Sequence, residues 1–328
     1  MLTNKVVVSQ STQTYFNLAY EEYLLKNSSY DEVTLFLWQS KNAVVIGSNQ
    51  NPWKECNIEK LKEDNVVLAR RLSGGGAVYH DKGNLNFTFV MGNKLYDEKK
   101  QLKVIIDALT EYNIKAEFSG RNDILVNGRK VSGNAYFFDE NKSFHHGTLL
   151  IDEDVTKLPE YLTVSTKKLK SKGIDSVVSR VINLKDINNT ISVDSVKDSL
   201  KKSFKRIYGD FSFSTINENF KEDSVFSPIY SKYSSDEWIY GNTPGFEVKF
   251  DEHFDWGEIQ INANISNLFI EEVKIYSDSL NVAFIDNLSK LLIGVKYSHS
   301  DIKAAILSAV HSENEKRMAN DIIAKWFE

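Results

Sequence analysis

The sequence predicts an α/β (α+β) protein built as two domains, and three observations carry that prediction. At about 150 residues per domain, 328 residues amount to roughly two domains. Short apolar, β-rich runs alternate with segments of helical spacing over the first two-thirds of the chain, with no internal repeat. Beyond about residue 240, three strand-like runs precede two helical ones, which describes a small α+β unit of fewer than 100 residues.

Taken in order, the first helix falls over Phe16–Leu25, where Leu18, Tyr20, Tyr23 and Leu24 share a face. Thr34–Trp38 and Ala43–Ile46 are short β runs on either side of a polar Gln-Ser-Lys-Asn turn, and Val66–Ala69 is a third. In Leu85–Val90, Leu85, Phe87 and Phe89 alternate with Asn86 and Thr88, the period of a strand. Leu102, Ile105, Ile106 and Leu109 make Lys99–Tyr112 an amphipathic helix. Asn127-Gly128 between Asp123–Val126 and Lys130–Phe138 is a two-residue hairpin signal. Phe144–Ile151 follows as a strand and Val193–Tyr208 as a helix. The stretch from Phe211 to about Trp238, rich in Ser, Asn and charge and containing Pro228, reads as a connection between domains. Phe246–Phe250, Glu258–Ala263 and Glu272–Tyr276 are then strands, and Ile302–Val310 and Met318–Phe327 helices. The expected domains are 1–240, with the connection from about 211, and 241–328.

Composition narrows the function. Hydrophobic residues at 41% and aromatics at 12% suit a folded soluble chain. The net charge of −5 argues against bulk nucleic acid or anionic membrane as the main partner. Residues 241–328 hold 14 acidic and 8 basic side chains, so the acidity lies in the smaller domain. A single cysteine, Cys56, excludes an intramolecular disulfide framework and multi-cysteine metal sites, and fits a reducing compartment. No apolar run is long enough to span a bilayer, and no apolar core behind a basic start marks a signal peptide, so the expected location is the cytoplasm.

Three segments carry candidate chemistry. In Arg70-Arg71-Leu72-Ser73-Gly74-Gly75-Gly76-Ala77-Val78-Tyr79-His80-Asp81, successive glycines let a ligand approach bare N–H groups, and the arginine pair can grip phosphate or carboxylate. No Lys-Ser/Thr follows the glycines and G-x-G-x-x-G spacing is absent, so this is neither a P-loop nor a dinucleotide fingerprint. Around the 123–138 hairpin, Asp123 and Lys130 stand at the strand heads, and Ser132-Gly133 suggests a close backbone approach. A lysine there can set a point charge against a carboxylate or α-phosphate that gains charge in a transition state. His145 and His146 are adjacent on a strand, so at most one faces a site, and they lack the spacing of a helical zinc pair. Cys56 is read as a small buried thiol rather than a nucleophile. The basic stretch from Lys157 to Lys185, with Lys167, Lys168, Lys170, Lys172 and Arg180, is either a solvated face or a basic loop over a nucleotide or acidic partner.

These residues resemble a known family. ARRLSGGGAVYHDKGNLNFTF, GRNDILVNGRKVSGNAYFF and SFHHGTLL are similar to the three motif blocks of lipoate–protein ligases. NLAYEEYLL, VVIGSNQNPWKECN and LPEYLTVSTKKLKSKGIDSVVSRVINL resemble further blocks, so the likeness runs in order over about residues 15–185. Residues 238–328, from WIYGNTPGF, resemble the accessory domain of bacterial two-domain ligases, except that IYSDSL stands where such proteins tend to carry a Gly-Asp pair.

The resemblance implies a biotin/lipoate ligase catalytic domain akin to class II synthetase cores, with a small C-terminal α+β accessory domain. It implies activation of lipoate by ATP, with Mg²⁺, to lipoyl-AMP. The lipoyl group then passes to a lysine of lipoyl domains of 2-oxoacid dehydrogenase acyltransferase subunits or of the glycine-cleavage H protein. Lys130 is the implied catalytic residue, holding the carboxylate and the α-phosphate. Arg71, Gly75, Gly76, Ala77, Val78, Tyr79 and Asp123 are implied for ATP, with Asp123 also supporting Mg²⁺. Arg70, Ser73, His80, Lys130 and His146 are implied for lipoate. All motif residues precede about residue 185, so the adenylation site is expected wholly in the larger domain. The alternatives are an ATP-independent octanoyl or lipoyl transferase of the same fold, which needs a cysteine thioester, and a non-catalytic lipoate-binding protein.

Overall fold

A computed structural model of the chain describes residues 3–119, 122–162, 180–240, 248–266 and 269–326, side chains at 53 and 54 excepted. The chain divides into two compact units. The first comprises Met1–Val45, Trp53–Arg70 and Ala77–Ile239, and the second Ile46–Pro52, Arg71–Gly76 and Tyr240–Glu328.

The first unit is built on strands β1 (Thr3–Ser9), β2 (Glu32–Trp38), β3 (Ala43–Ile46), β4 (Val67–Arg70), β5 (Val78–His80), β6 (Asn84–Gly92), β7 (Ala116–Ser119), β8 (Asp123–Val126), β9 (Arg129–Phe138), β10 (Lys142–Leu150) and β11 (Ser212–Ile216). Eight of them form one mixed sheet in the order β11-β1-β2-β6-β10-β9-β8-β7. β1 runs parallel to both β2 and β11, and the pairs from β2 to β7 are antiparallel. β4, β3 and β5 make a separate small sheet.

Helices Glu98–Thr110 and Val193–Tyr208 cover one face of the large sheet. Leu102, Ile105 and Leu109 from one, and Val196, Leu200 and Phe204 from the other, form a single core with Leu35, Phe87 and Phe89. The Thr14–Asn27 helix lies against the opposite face, its Tyr20 ring 5.1 Å from that of Phe36. With both faces covered, every residue of β6 is buried, including the polar row Asn84, Asn86 and Thr88. The alternation in that strand therefore separates a greasy core face from a buried polar face, rather than core from solvent.

The expected interdomain connection is structured. Within 211–238, β11 pairs with β1, and the Phe226–Tyr233 helix buries Phe226, Ile229 and Tyr233. Spaced at i, i+3 and i+7, these side chains line one face of a helix, and Phe226 joins Phe16, Tyr20, Tyr23 and Phe220 in an aromatic cluster. Abundant Ser and Asn concealed that spacing.

The second unit carries an antiparallel meander of β12 (Val248–Phe254), β13 (Gly257–Ser266) and β14 (Phe269–Ser277). Three helices, Val282–Leu292, His299–Ser308 and Glu313–Lys325, pack on it through Phe284, Leu288, Ile306 and Ile322. The first of these helices, β1, β5 and β7 are additional to the elements expected from sequence.

Candidate functional site

Lys130 is aimed by an irregularity in its strand. The β8–β9 turn uses Asn127 and Gly128 with φ of 51° and 73°, the left-handed pair that a tight hairpin demands. Beyond it Leu125 pairs with Lys130 but Ile124 pairs with Ser132, leaving Val131 as a bulge. In a regular strand Lys130 and Gly133, three apart, would point to opposite faces. The bulge returns them to one face, and a Cβ built on Gly133 would lie 2.9 Å from Lys130 Nζ and 3.0 Å from Cε. Glycine at 133 is thus the clearance in which the lysine lies.

Lys130 Nζ sits 2.7 Å from Asp123 Oδ1, and Asp123 is paired directly across from Gly133. With side chains 33% and 36% exposed, such a pair contributes about 0–1 kcal/mol, so a substrate phosphate can take the lysine at little cost. The backbone is held more firmly. Lys130 N–H donates to the Arg180 carbonyl at 2.7 Å, and Ile182 N–H donates to the Lys130 carbonyl at 3.0 Å. Gly133 N–H donates to Thr148 Oγ1 at 3.2 Å.

A buried polar network on the core side of β9 braces this hairpin. Asn134 and Asn122 exchange backbone and side-chain bonds of 2.9–3.0 Å. Asn134 Oδ1 meets His145 Nε2 at 2.9 Å, and Gln101 Oε1 meets His145 Nδ1 at 2.9 Å. Burial, with His146 adjacent, drives the His145 pKa down to about 3, so the ring is neutral, donates from one nitrogen only, and takes an amide N–H from one of these two side chains on the other.

His146 points to the opposite face, as the alternation of a strand requires. Its Nδ1 lies 2.9 Å from Glu21 Oε1, which also accepts from Thr88 Oγ1 at 2.6 Å. His80 is buried with its ring 6.4 Å from that of Trp38. Tyr79 packs 5.4 Å from Tyr161. Arg70 uses Nε and Nη2 on the carbonyls of Trp238 and Ile239, and the Trp238 indole N–H donates back to the Arg70 carbonyl at 3.0 Å.

The glycine-rich loop, residues 71–76, falls within the second compact unit. Arg71 folds over its own loop, donating from Nη2 to the carbonyls of Gly74 (2.7 Å) and Gly76 (2.9 Å) and from Nε to Ser73 Oγ (3.1 Å). Gly75 has φ of 92°, and a Cβ on Gly74 would strike the Ser279 carbonyl oxygen at 2.1 Å. Both positions thus require glycine, one for conformation and one for space. A Cβ on Gly76 would meet nothing within 4 Å among the described residues.

Other expectations resolve simply. Cys56 is buried and its thiol is pushed up to about 12, chiefly by burial. Among the described residues no three His, Cys, Asp or Glu side chains group to hold a metal, and no helix is long and apolar enough to cross a membrane. Lys167, Lys168, Lys170 and Lys172 lie outside the described residues. Lys157 pairs with Glu160, and Lys185 with Asp152. Sequence reasoning passed over Glu21, Thr88, Asn134 and Thr148. For Thr88, Asn134 and Thr148 the signal was a polar residue at an alternate position in a largely apolar strand, and for Glu21 an acid among the aromatics of the Thr14–Asn27 helix.

The fold and these motif residues are those of an acyl-ligase catalytic domain followed by its C-terminal domain. Residues 13–205 match the family model for the lipoyl protein ligase A/B catalytic domain, and residues 243–327 that for the bacterial lipoate protein ligase C-terminus. The chain belongs to the lipoate–protein ligase family. It is 43% identical over 304 residues to lipoate-protein ligase A of Blochmanniella floridana, covering 91% of this chain and 90% of the relative. It is 39% identical to the protein of that name from Psychrobacter cryohalolentis, over 98% and 97% of the two chains. LipL1 of P. falciparum, solved in complex with lipoate, superposes with a TM-score of 0.87 at 34% identity, over 98% of each chain. A lipoate-protein ligase A bound with ATP gives a TM-score of 0.63 at 27% identity, over 74% of this chain and 99% of the other.

Proposed function

We propose that this chain is an ATP-dependent lipoate–protein ligase and that Lys130 is its principal catalytic cation. The observation that carries the assignment is the placement of Lys130 over Gly133 beside Asp123. A carboxylate cannot acylate an amine at a useful rate until it has a good leaving group. In the first step the lipoate carboxylate attacks the α-phosphorus of ATP and pyrophosphate leaves. In the second, a lysine amine of the carrier attacks the acyl carbonyl, AMP departs, and the amine gives up its proton. Lys130 would draw the carboxylate and α-phosphate together and stabilise the charge gathering between them. Arg71 and the backbone of Gly75, Gly76, Ala77, Val78 and Tyr79 would line the phosphates. The open space at Gly76 and the left-handed turn at Gly75 support that reading. Arg70, Ser73, His80 and His146 would bound the acyl group.

Mg²⁺ would enter on the nucleotide. One carboxylate, Asp123, with no metal-holding cluster of acids among the described residues, fits an ion held mainly by substrate phosphates and water. There the ion would supply charge neutralisation. The carrier is a lipoyl domain or the glycine-cleavage H protein, and a reducing, ATP-containing compartment such as the cytoplasm suits a chain with one free cysteine. The acyl-thioester alternative gains no support from Cys56, whose thiol is buried and protonated. The test is lipoate-dependent pyrophosphate–ATP exchange, which needs no carrier. Lys130→Ala should lose exchange by about two orders of magnitude or more while melting normally. Lys130→Arg should restore little, because a planar fork replaces a point charge. Near-normal exchange in the alanine variant overturns the assignment.

A further inference from the structure

We infer that Asn134 is a positioning residue for Lys130: oriented by His145, its side-chain amide closes the free end of β8 and so fixes Asp123 and the place of the lysine. The inference rests on the reading above that Lys130 is the catalytic cation. β8 has four residues, and the bulge at Val131 interrupts its ladder with β9 after two pairs. So short and broken a pairing holds its own end poorly. Three bonds between Asn122 and Asn134 make up the deficit. The Asn122 carbonyl accepts from the Asn134 backbone N–H at 2.9 Å and from its Nδ2 at 3.0 Å, and Asn122 Nδ2 donates to the Asn134 carbonyl at 2.9 Å. Asn122 precedes Asp123, whose Oδ1 meets Lys130 Nζ, and Asn134 follows Gly133, over which the lysine lies.

The amide is oriented from the core side. Asn134 is paired with Gly147 on β10, and a Cβ on that glycine would stand 2.7 Å from Asn134 Oδ1. Glycine at 147 thus leaves room for the amide to lie across β10, where its oxygen reaches His145 Nε2 at 2.9 Å. Turning the amide over would set its oxygen 3.0 Å from the Asn122 carbonyl oxygen, two acceptors in repulsion. Nε2 is therefore the N–H of His145. The ring is buried against Phe87, Phe89 and Tyr136 and is neutral, so Nδ1 is an acceptor. The Gln101 amide, 2.9 Å from Nδ1, supplies the N–H. Its other polar atom then faces Met91 Sδ, a weak acceptor, so little is lost in that orientation.

One directed line of hydrogen bonds then runs from the Glu98–Thr110 helix through β10 and β9 to the carbonyl beside Asp123. Gln101, His145 and Asn134 are all buried, so removing one leaves its neighbours unsatisfied in the core.

Two measurements decide the matter. Nitrogen-15 spectra of histidine-labelled protein at neutral pH should show His145 protonated on Nε2 alone. A proton on Nδ1 alone, or on both nitrogens, overturns the inference. Pyrophosphate exchange then separates positioning from general support. Asn134→Leu keeps the volume, removes every side-chain bond, and should lower kcat/KM by about tenfold or more. In a Lys130→Ala background the same substitution should change exchange by less than about twofold, because the group it positions is gone. A purely structural role would give the same fold-loss in both backgrounds. If Asn134→Leu does not fold, Asn134→Ser, whose hydroxyl stops short of His145, takes its place with the same expectations. Full exchange in the folded Asn134 variant, or an equal loss in both backgrounds, overturns the inference while Lys130 keeps its role. Near-normal exchange in Lys130→Ala itself overturns the reading beneath it, and the inference with it.

Discussion

Replacing Gly133 by alanine places one methyl group where Lys130 now lies. The added carbon would stand 2.9 Å from Nζ and 3.0 Å from Cε, and among the described residues no other heavy atom beyond the chain neighbours lies within 4 Å. Restoring ordinary contact of about 3.4 Å or more requires the ammonium to retreat by about half an ångström at least, and a swing to another rotamer moves it further. The obstacle is the free end of a flexible side chain, so the backbone need not yield. Gly133 is not among the positive-φ glycines, so alanine fits its conformation. It should even stabilise the strand, by about 0.5–1 kcal/mol, through the lower entropy of the unfolded chain. Activity should move the other way. A displacement of about 1 Å at a reacting centre costs on the order of 10²-fold, or about 2.7 kcal/mol in barrier. Thermal unfolding followed beside lipoate-dependent pyrophosphate exchange reads both effects on one sample. A melting temperature equal to or above wild type with exchange down about a hundredfold is the expected pair. Exchange within about threefold of wild type would show that Lys130 does not work from the place it occupies here, and the account of the bulge would go with it.

Cys56→Ala should leave ATP-dependent lipoylation unchanged, since with a pKa of about 12 only about one thiol in 10⁵ is ionised at neutral pH. A trapped acyl-Cys56 species would instead establish acyl transfer. His145 supplies a pH dependence. Its folded pKa of about 3 lies below the ordinary value of about 6.5, so between these limits the unfolded chain binds the extra proton and stability falls as pH drops. The slope reaches about 1.4 kcal/mol per pH unit, roughly 2 kcal/mol between pH 7.5 and 5, and urea titrations of His145→Gln should lack that part of the decline. Glu153 has the opposite sign. Burial, with Asp81 and Asp154 nearby, holds its carboxyl protonated well above the usual range, so its folded-state stability is lost as pH rises above about 4.5. Glu153→Gln should therefore be more stable than wild type at pH 8, by about 1 kcal/mol or more, and no more stable near pH 4. An equal effect at both pH values would refute the buried-acid account.

The sequence by itself determined the local elements and the chemistry. Period-2 alternation marked β6, Asn127-Gly128 marked the hairpin, helical spacing marked Glu98–Thr110 and Val193–Tyr208, and the motif blocks named the family and Lys130. These signals are local, each carried by residues a few positions apart. What the sequence obscured had to be closed through space. The Phe226–Tyr233 helix owes its burial to aromatics more than 190 positions earlier, so its Ser- and Asn-rich surface read as a linker. The bulge at Val131 is set by pairing with β8, and only that one-residue slip brings Lys130 and Gly133 to the same face. Arg71, beside Arg70 in sequence, turns its guanidinium onto loop carbonyls of the second unit, while Arg70 stays with Trp238 and Ile239 in the first. The buried chain Trp38, Thr88, Glu21 and His146 spans 125 positions of sequence. Register and burial, which only the folded sheet supplies, join these four residues in one set of hydrogen bonds, although the sequence had marked only His146 among them.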